Sequence, residues 1–223
     1  MLLKRLASRL PFPARQTLRA WKYGLQAASG RFRSDEPEFH QLGDWVRMGD
    51  WVLDIGANVG QYTLRLSELV GREGRVIAFE PILETAEILA TMARRARYRN
   101  VTLFNVAVSE RAGLLRFLVP GGAAGLPNYF QARVSRDGDR TIPCLALDEL
   151  PFPHRIALVK IDVEEHEVPV IRGMRNLIER DHPILIIEGH EGIYPEFLAG
   201  YGYVMQPKTS GSCNLVFLTT PRT

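Results

Sequence analysis

The stretch from Trp51 to Gly60 reads WVLDIGANVG. Val52, Leu53 and Ile55 form a short apolar run that ends at Gly56, as a strand buried on both faces of a parallel sheet does. Gly56 and Gly60 bracket a tight turn, and residues 60–70 continue at helical spacing with Tyr62, Leu66 and Leu69 on one face. Strand, glycine turn and helix make the first half of a βαβ unit. The rest of the chain decides whether that unit repeats.

It does repeat. RVIAFE (75–80) is a second buried strand, residues 83–98 a second helix, and VTLFNVAV (101–108) a third strand. IALVKID (156–162) and PILIIEG (183–189) are the fourth and fifth core strands, with a helix over 166–180 between them. A short helix near 193–199 leads into YGYVMQ (201–206) and NLVFLTT (214–220). The turn-rich PKTSGS joins these two runs, so they read as an antiparallel pair closing the sheet edge. The alternation predicts a Rossmann-like α/β fold, mostly parallel, with right-handed crossovers and an antiparallel C-terminal edge. LLRFLV (114–119) and TIPCLAL (141–147) interrupt it as two extra strands. The loop between them, PGGAAGLPNYFQARVSRDGDR, is long enough to be expected to serve function, as a lid in which Tyr129 and Phe130 pack on a substrate.

A chain of 223 residues with 46% apolar and 24% charged side chains suits one well-buried domain. No apolar run reaches the ~18 residues of a membrane span, and no signal-peptide pattern is present. Cys144 and Cys213 both sit among apolar neighbours and read as buried reduced thiols, which points to a cytoplasmic setting.

The net charge of +3 hides an asymmetry. Residues 1–34 hold eight cations and no acid, leaving −5 on the remaining 189 residues. Leu2, Leu3, Leu6 and Leu10 recur at helical spacing until Pro11 and Pro13 interrupt them; Leu18, Trp21 and Leu25 mark a second amphipathic stretch. Residues 1–36 are therefore read as a short basic helical arm, and residues 37–223 as the α/β domain. The arm either packs on the domain over its cleft or lies on an anionic membrane surface. No nucleic-acid-binding motif is present, and no nucleic-acid partner is expected.

Chemistry concentrates at the predicted carboxyl ends of the strands, where open α/β sheets bind ligands. After strand one comes Asp54-Ile55-Gly56-Ala57-Asn58-Val59-Gly60, and Glu80 ends strand two, where an acid can accept hydrogen bonds from ribose hydroxyls. Dinucleotide enzymes carry G-x-G-x-x-G; here Asn58 replaces the middle glycine. A carboxylate at Asp54 would repel a pyrophosphate but favour a cationic ammonium or sulfonium, which favours S-adenosylmethionine over NAD. After strand four, Lys160-Ile161-Asp162-Val163-Glu164-Glu165-His166-Glu167 brings Asp162 and Glu164 to the same edge, and after strand five come Glu188 and His190. Asp162 or His190 is the candidate base, with Lys160 or Glu188 positioning an acceptor. Asp162, Glu188 and His190 match no specific metal motif, and no metal site is assigned.

Taken together, DIGANVGQYT, VIAFEP, TIPCLALDEL, KIDVEEHEVPVIRG and PILIIEGH resemble the FkbM family of methyltransferases over roughly residues 40–205. The resemblance implies the class I methyltransferase version of the Rossmann-like sheet, S-adenosylmethionine as donor, and usually O-methylation of a hydroxyl on a small molecule, sugar or glycolipid. Asp54, Gly56, Ala57, Asn58 and Gly60 would line the methionine end of the cofactor, with Tyr62 and Thr63 following. Glu80 and Pro81 would lie at the ribose, and Asn105, Val106 and Ala107 at the adenine. Asp162, Glu164 and Glu167 match the family's D-V-E-G-x-E block, with Glu164 facing the substrate. Glu165 departs from that block, which has glycine in its place; if the glycine needs a positive φ, Glu165 is strained there. A nicotinamide-dependent oxidoreductase on the same fold, or a cofactor-binding module without turnover, are the alternatives.

Overall fold

The computed structural model describes residues 10–122, 126–189 and 194–219. Two helices come first, α1 (Phe12–Ala28) and α2 (Pro37–Trp45). Next are β1 (Trp51–Ile55), α3 (Gln61–Val70), β2 (Arg75–Phe79), α4 (Leu83–Arg95) and β3 (Val101–Phe104). An inserted sheet follows: β4 (Ala107–Val108), β5 (Gly113–Leu118), β6 (Arg133–Val134) and β7 (Arg140–Leu145). The chain then returns to the main sheet through β8 (Ile156–Ile161), α5 (Glu167–Arg172), α6 (Arg175–Asp181), β9 (Ile184–Glu188), α7 (Tyr194–Ala199), β10 (Tyr203–Met205) and β11 (Asn214–Thr219).

The main sheet runs in the order β10-β11-β9-β8-β1-β2-β3. β3, β2, β1, β8 and β9 are mutually parallel; β11 is antiparallel to both β9 and β10. The antiparallel C-terminal edge is thus a single reversed strand inserted between β9 and β10. Alternate residues feed two cores. Val52, Val76, Leu158 and Ile186 face α2 and α3, while Leu53, Ile77, Val159 and Leu185 face the helices that follow β8 and β9. The chain progresses one way from β1 to β3 and the other way from β8 to β9. This switch point between β1 and β8 opens a crevice at the strands' carboxyl ends.

Four details differ from the sequence reading. The third strand splits: β3 ends at Phe104, and β4 leaves to pair with β7 in the inserted sheet. The helix expected over 166–180 breaks at Gly173, where a Cβ would stand 2.0 Å from the Ser109 carbonyl oxygen. The long loop is partly ordered by a bridge between Gly121 and Pro127, a 3-10 turn at Tyr129–Gln131, and β6. Cys144 is a buried free thiol, but Cys213 is exposed, because it lies in the loop just before β11 begins.

The second amphipathic stretch of the arm is α1. Ala20 and Tyr23 pack with Phe32, Val59, Ile88 and Met92, and the Gln16 amide donates to the Glu84 carbonyl at 2.8 Å. The helix is thereby held against α4. The first apolar repeat, before Leu10, lies outside the described residues.

Candidate active site

A cavity of about 300 Å³ occupies the crevice between β1 and β8. Such a volume lies at the lower end of the range for small-ligand sites. Asp54, Gly56, Ala57, Asn58, Tyr62, Glu80, Pro81, Val106, Ala107, Tyr129, Phe130, Lys160, Asp162, Glu164 and Glu188 all reach its wall. Gly60, Thr63 and Asn105 do not reach it, and His190 lies outside the described residues.

The glycine turn is fixed from three sides. Gly56 and Ala57 donate their N–H groups to the Phe79 carbonyl at 2.9 and 3.0 Å, tying the end of β1 to β2. Gly56 has φ +80, and a Cβ there would stand 1.7 Å from the Asp162 carbonyl oxygen. Its freedom is therefore needed for contact with the chain's own backbone rather than with a ligand. Gly60, at φ +96, starts α3, and a Cβ there would meet Leu89 at 2.3 Å.

Glu80 organises this turn. Its carboxylate accepts from the Asn58 N–H at 2.7 Å, the Ile82 N–H at 2.8 Å and the Thr85 hydroxyl at 2.8 Å. A carboxylate offers about four lone-pair directions, so one remains for a ligand hydroxyl. Burial pushes the Glu80 carboxyl up to about 7 against the pull of these donors. Asn105 ties down the same corner, its amide donating to the Glu80 and Pro81 carbonyls at 2.8 and 3.1 Å. Asp54 is likewise buried and raised to about 6 by desolvation, opposed by the Thr63 hydroxyl, which donates to it, and by Lys160. Thr63 thus acts from behind Asp54.

At the other side of the cavity, Lys160 is 1% exposed and pairs with Asp162 at 3.3 Å, its ammonium 5.2 Å from the Tyr62 ring centre. Burial opposes its charge, but Asp162, Glu36, Glu188 and Asp54 outweigh burial and keep it protonated. Burial also opposes the Asp162 charge, yet Lys160 holds that carboxyl below its usual range. Glu188 is raised, first by its hydrogen bond with Asp162 and then by burial. Asp162 and Glu188 are thus pulled apart, the first toward its ionised form and the second toward its protonated form. Glu164 and Glu165 follow at φ +51 and +70, so the position where the family block has glycine does demand a left-handed backbone.

Some of the wall was not legible in sequence. Ser34 and Glu36 line the cavity, so residues assigned to the arm contribute to the site. They are held there because the Gln61 amide donates to the Arg33 carbonyl at 2.6 Å and the Tyr62 hydroxyl donates to the Glu36 carboxylate. His166 also lines it; its Nε2 lies 3.0 Å from the Ser109 hydroxyl, and burial lowers its basicity. On the rim, Arg19 lies over the Tyr129 ring at 4.6 Å, and Arg140 grips the Glu84 carboxylate at 2.7 and 2.8 Å behind it.

Residues 54–206 match the methyltransferase FkbM domain. The chain belongs to the FkbM methyltransferase family. Hexuronic acid methyltransferase AglP of Haloferax volcanii is 28% identical over 170 residues, covering 74% of this chain and 66% of that protein. A protein-L-isoaspartate O-methyltransferase of Methanothrix thermoacetophila is 32% identical over 102 residues, 44% of this chain and 49% of that one. The matches thus span from just under half to just under two thirds of these curated relatives. The crystal structure of methyltransferase FkbM from Methylobacillus flagellatus shares the fold, with TM-score 0.55, 19% identity, and coverage of 96% of this chain and 57% of that chain.

The residues of the cavity fit S-adenosylmethionine, the methyl donor that the resemblance implies. The Asn58 side-chain oxygen is buried on the wall without a hydrogen-bond partner, an acceptor waiting for a donor. Asp54 and Glu80 are buried carboxyls whose charged forms a cationic ligand would favour. Asp54, Asn58 and Glu80 would be the residues that hold it.

Proposed function

We propose that the protein transfers the methyl group of S-adenosylmethionine to a hydroxyl oxygen of a sugar, glycolipid or other small molecule. The supporting observation is the Lys160–Asp162–Glu188 cluster, which opens into the same cavity as the cofactor residues. A sugar acceptor is favoured by the relative named for hexuronic acid methylation.

When bound, S-adenosylmethionine supplies an electrophilic methyl on a sulfonium. The chain's contribution is orientation and proton handling. Asp162 accepts a hydrogen bond from the acceptor hydroxyl and fixes one of its lone pairs toward the cofactor half of the cavity. An oxygen that gains a methyl becomes strongly acidic, so even a carboxylate of lowered basicity takes its proton. Lys160 holds Asp162 in place and ionised, so that Asp162 is the group that takes the proton. Tyr129 and Phe130 form the apolar rim against which the acceptor packs, and the loop that carries them excludes water.

The test is transfer of labelled methyl to a panel of hexuronic acid glycosides and simple sugars, comparing wild type with Asp162→Asn. Turnover should fall at least 100-fold while S-adenosylmethionine affinity changes less than threefold, the order expected for loss of a base. A fall below tenfold, or a methyl ester in place of an ether, overturns the assignment.

A further inference from the structure

Ten large apolar side chains stand exposed among the described residues, and five of them belong to Leu10, Phe12, Leu18, Trp21 and Leu25. At about 100° per residue, Leu18, Trp21 and Leu25 share roughly a 60° arc of α1. This arc points away from the face that Ala20 and Tyr23 bury against α4. A helix that merely covered the domain would turn this stripe inward. Here the helix is anchored through Gln16, Ala20 and Tyr23 and offers its leucines and tryptophan outward, with Trp21 61% exposed.

The charge agrees. Arg15 and Lys22 flank the stripe, and no carboxylate among the described residues forms an ion pair with Arg15, Arg19 or Lys22. Over residues 1–34 there are eight cations and no acid, against −5 on the rest of the chain. An anionic sheet would attract this end of the molecule and repel the body, which fixes an orientation. A groove of about 310 Å³ runs beside the stripe, lined by Phe12, Arg15, Leu18, Arg19 and Lys22 on one side and by Tyr129 and Phe130 on the other. Tyr129 and Phe130 also line the catalytic cavity, so stripe, groove and cavity are contiguous. No described helix is long and apolar enough to cross a membrane.

We propose that the outward face of α1 is a docking surface for an anionic phospholipid bilayer, bringing the groove and the cavity mouth to the membrane. Apolar side chains enter the headgroup boundary, tryptophan sits at the interface, and the flanking cations meet lipid phosphates. The proposal does not depend on which acceptor is methylated.

The experiment is flotation of the full chain with vesicles of phosphatidylglycerol and phosphatidylcholine, or of phosphatidylcholine alone. Trp21→Glu and Leu18→Glu are compared with wild type, and S-adenosylmethionine affinity serves as the check on folding. Binding to the anionic vesicles should exceed binding to the neutral ones at least tenfold and weaken in high salt. Each variant should lower it at least tenfold with cofactor affinity unchanged. Absence of anionic-vesicle binding, or equal binding by Trp21→Glu, overturns the proposal. A concentration-dependent dimer abolished by Trp21→Glu, without vesicle binding, overturns it too and assigns the face to a second copy of the chain.

Discussion

Two strand-to-helix turns meet at the carboxyl edge of the sheet, one after β1 and one after β8. Both need left-handed backbone. The first places Gly56, Asn58 and Gly60 at φ +80, +49 and +96; the second places Glu164 and Glu165 at +51 and +70. The first turn uses glycine where a Cβ would strike backbone 1.7 Å away, whereas the second carries glutamates, Glu164 half-buried and Glu165 exposed. Positive φ alone therefore does not demand glycine here. Lack of room does, and the room is missing because the β1 turn touches the carbonyl of Asp162 in the β8 turn. The Asp54–Glu80 side and the Lys160–Asp162 side of the cavity are built against each other at that point.

The largest expected effect follows from this contact. Gly56→Ala adds both backbone strain and a clash that no side chain can relieve, together about 4 kcal/mol. For a chain of this length, thermal unfolding should fall on the order of 10 °C. A shift under about 2 °C in thermal denaturation would mean that the two turns can separate, and that the contact is not what demands glycine.

A smaller effect separates the turns chemically. Asp54 and Glu80 serve the β1 turn with carboxyls raised to about 6 and 7, while Asp162 in the β8 turn is held below its usual range. A cationic ligand beside Asp54 favours the ionised form, so binding below pH 6 must release a proton. Asp54 alone then lowers S-adenosylmethionine affinity about tenfold between pH 7 and pH 5, and Glu80 adds in the same direction. Unfolding does not mimic this at these two sites. Carboxyls raised in the folded state bind protons more readily there than in the unfolded chain, so acidification toward pH 5 favours the fold. Calorimetry in buffers of different ionisation enthalpy reads the proton directly. Equal affinity at both pH values would place the ligand's cation elsewhere.

The same contrast explains what the sequence revealed. Strands β1, β2, β8 and β9 were legible because each is buried on both faces and ends in its own glycine or acid, a local signature. Asp54, Asn58, Glu80 and Asp162 inherit their places from those ends. Glu36 and His166 were not legible, since their roles depend on Tyr62, 26 residues from Glu36, and on Ser109, 57 residues from His166. The split of the third strand was hidden because VTLFNVAV reads as one mainly apolar run; Asn105 marks the break, but only pairing with β7 pulls the end away. The outward stripe of α1 was visible as a period but not as a direction, because periodicity marks a face without saying what covers it.

The smallest expected effect tests the second turn itself. Glu165 is exposed, makes no side-chain hydrogen bond among the described residues, and does not line the cavity. Its left-handed backbone costs about 1–2 kcal/mol for a residue with a Cβ. Glycine would relieve that strain, but it loses about 0.5–1 kcal/mol through the greater freedom of the unfolded chain. Glu165→Gly should therefore stabilise the protein by about 0.5 kcal/mol, a rise of 1–2 °C in thermal denaturation. S-adenosylmethionine affinity should stay unchanged, since Gly56 still braces Asp162 from the other side. A loss of stability would show that the glutamate side chain holds the turn. A gain in stability with a fall in methyl transfer would show that the strain at Glu165 keeps Asp162 and Glu164 in position, making the turn after β8 a stiff support for the acceptor residues rather than a tolerated imperfection.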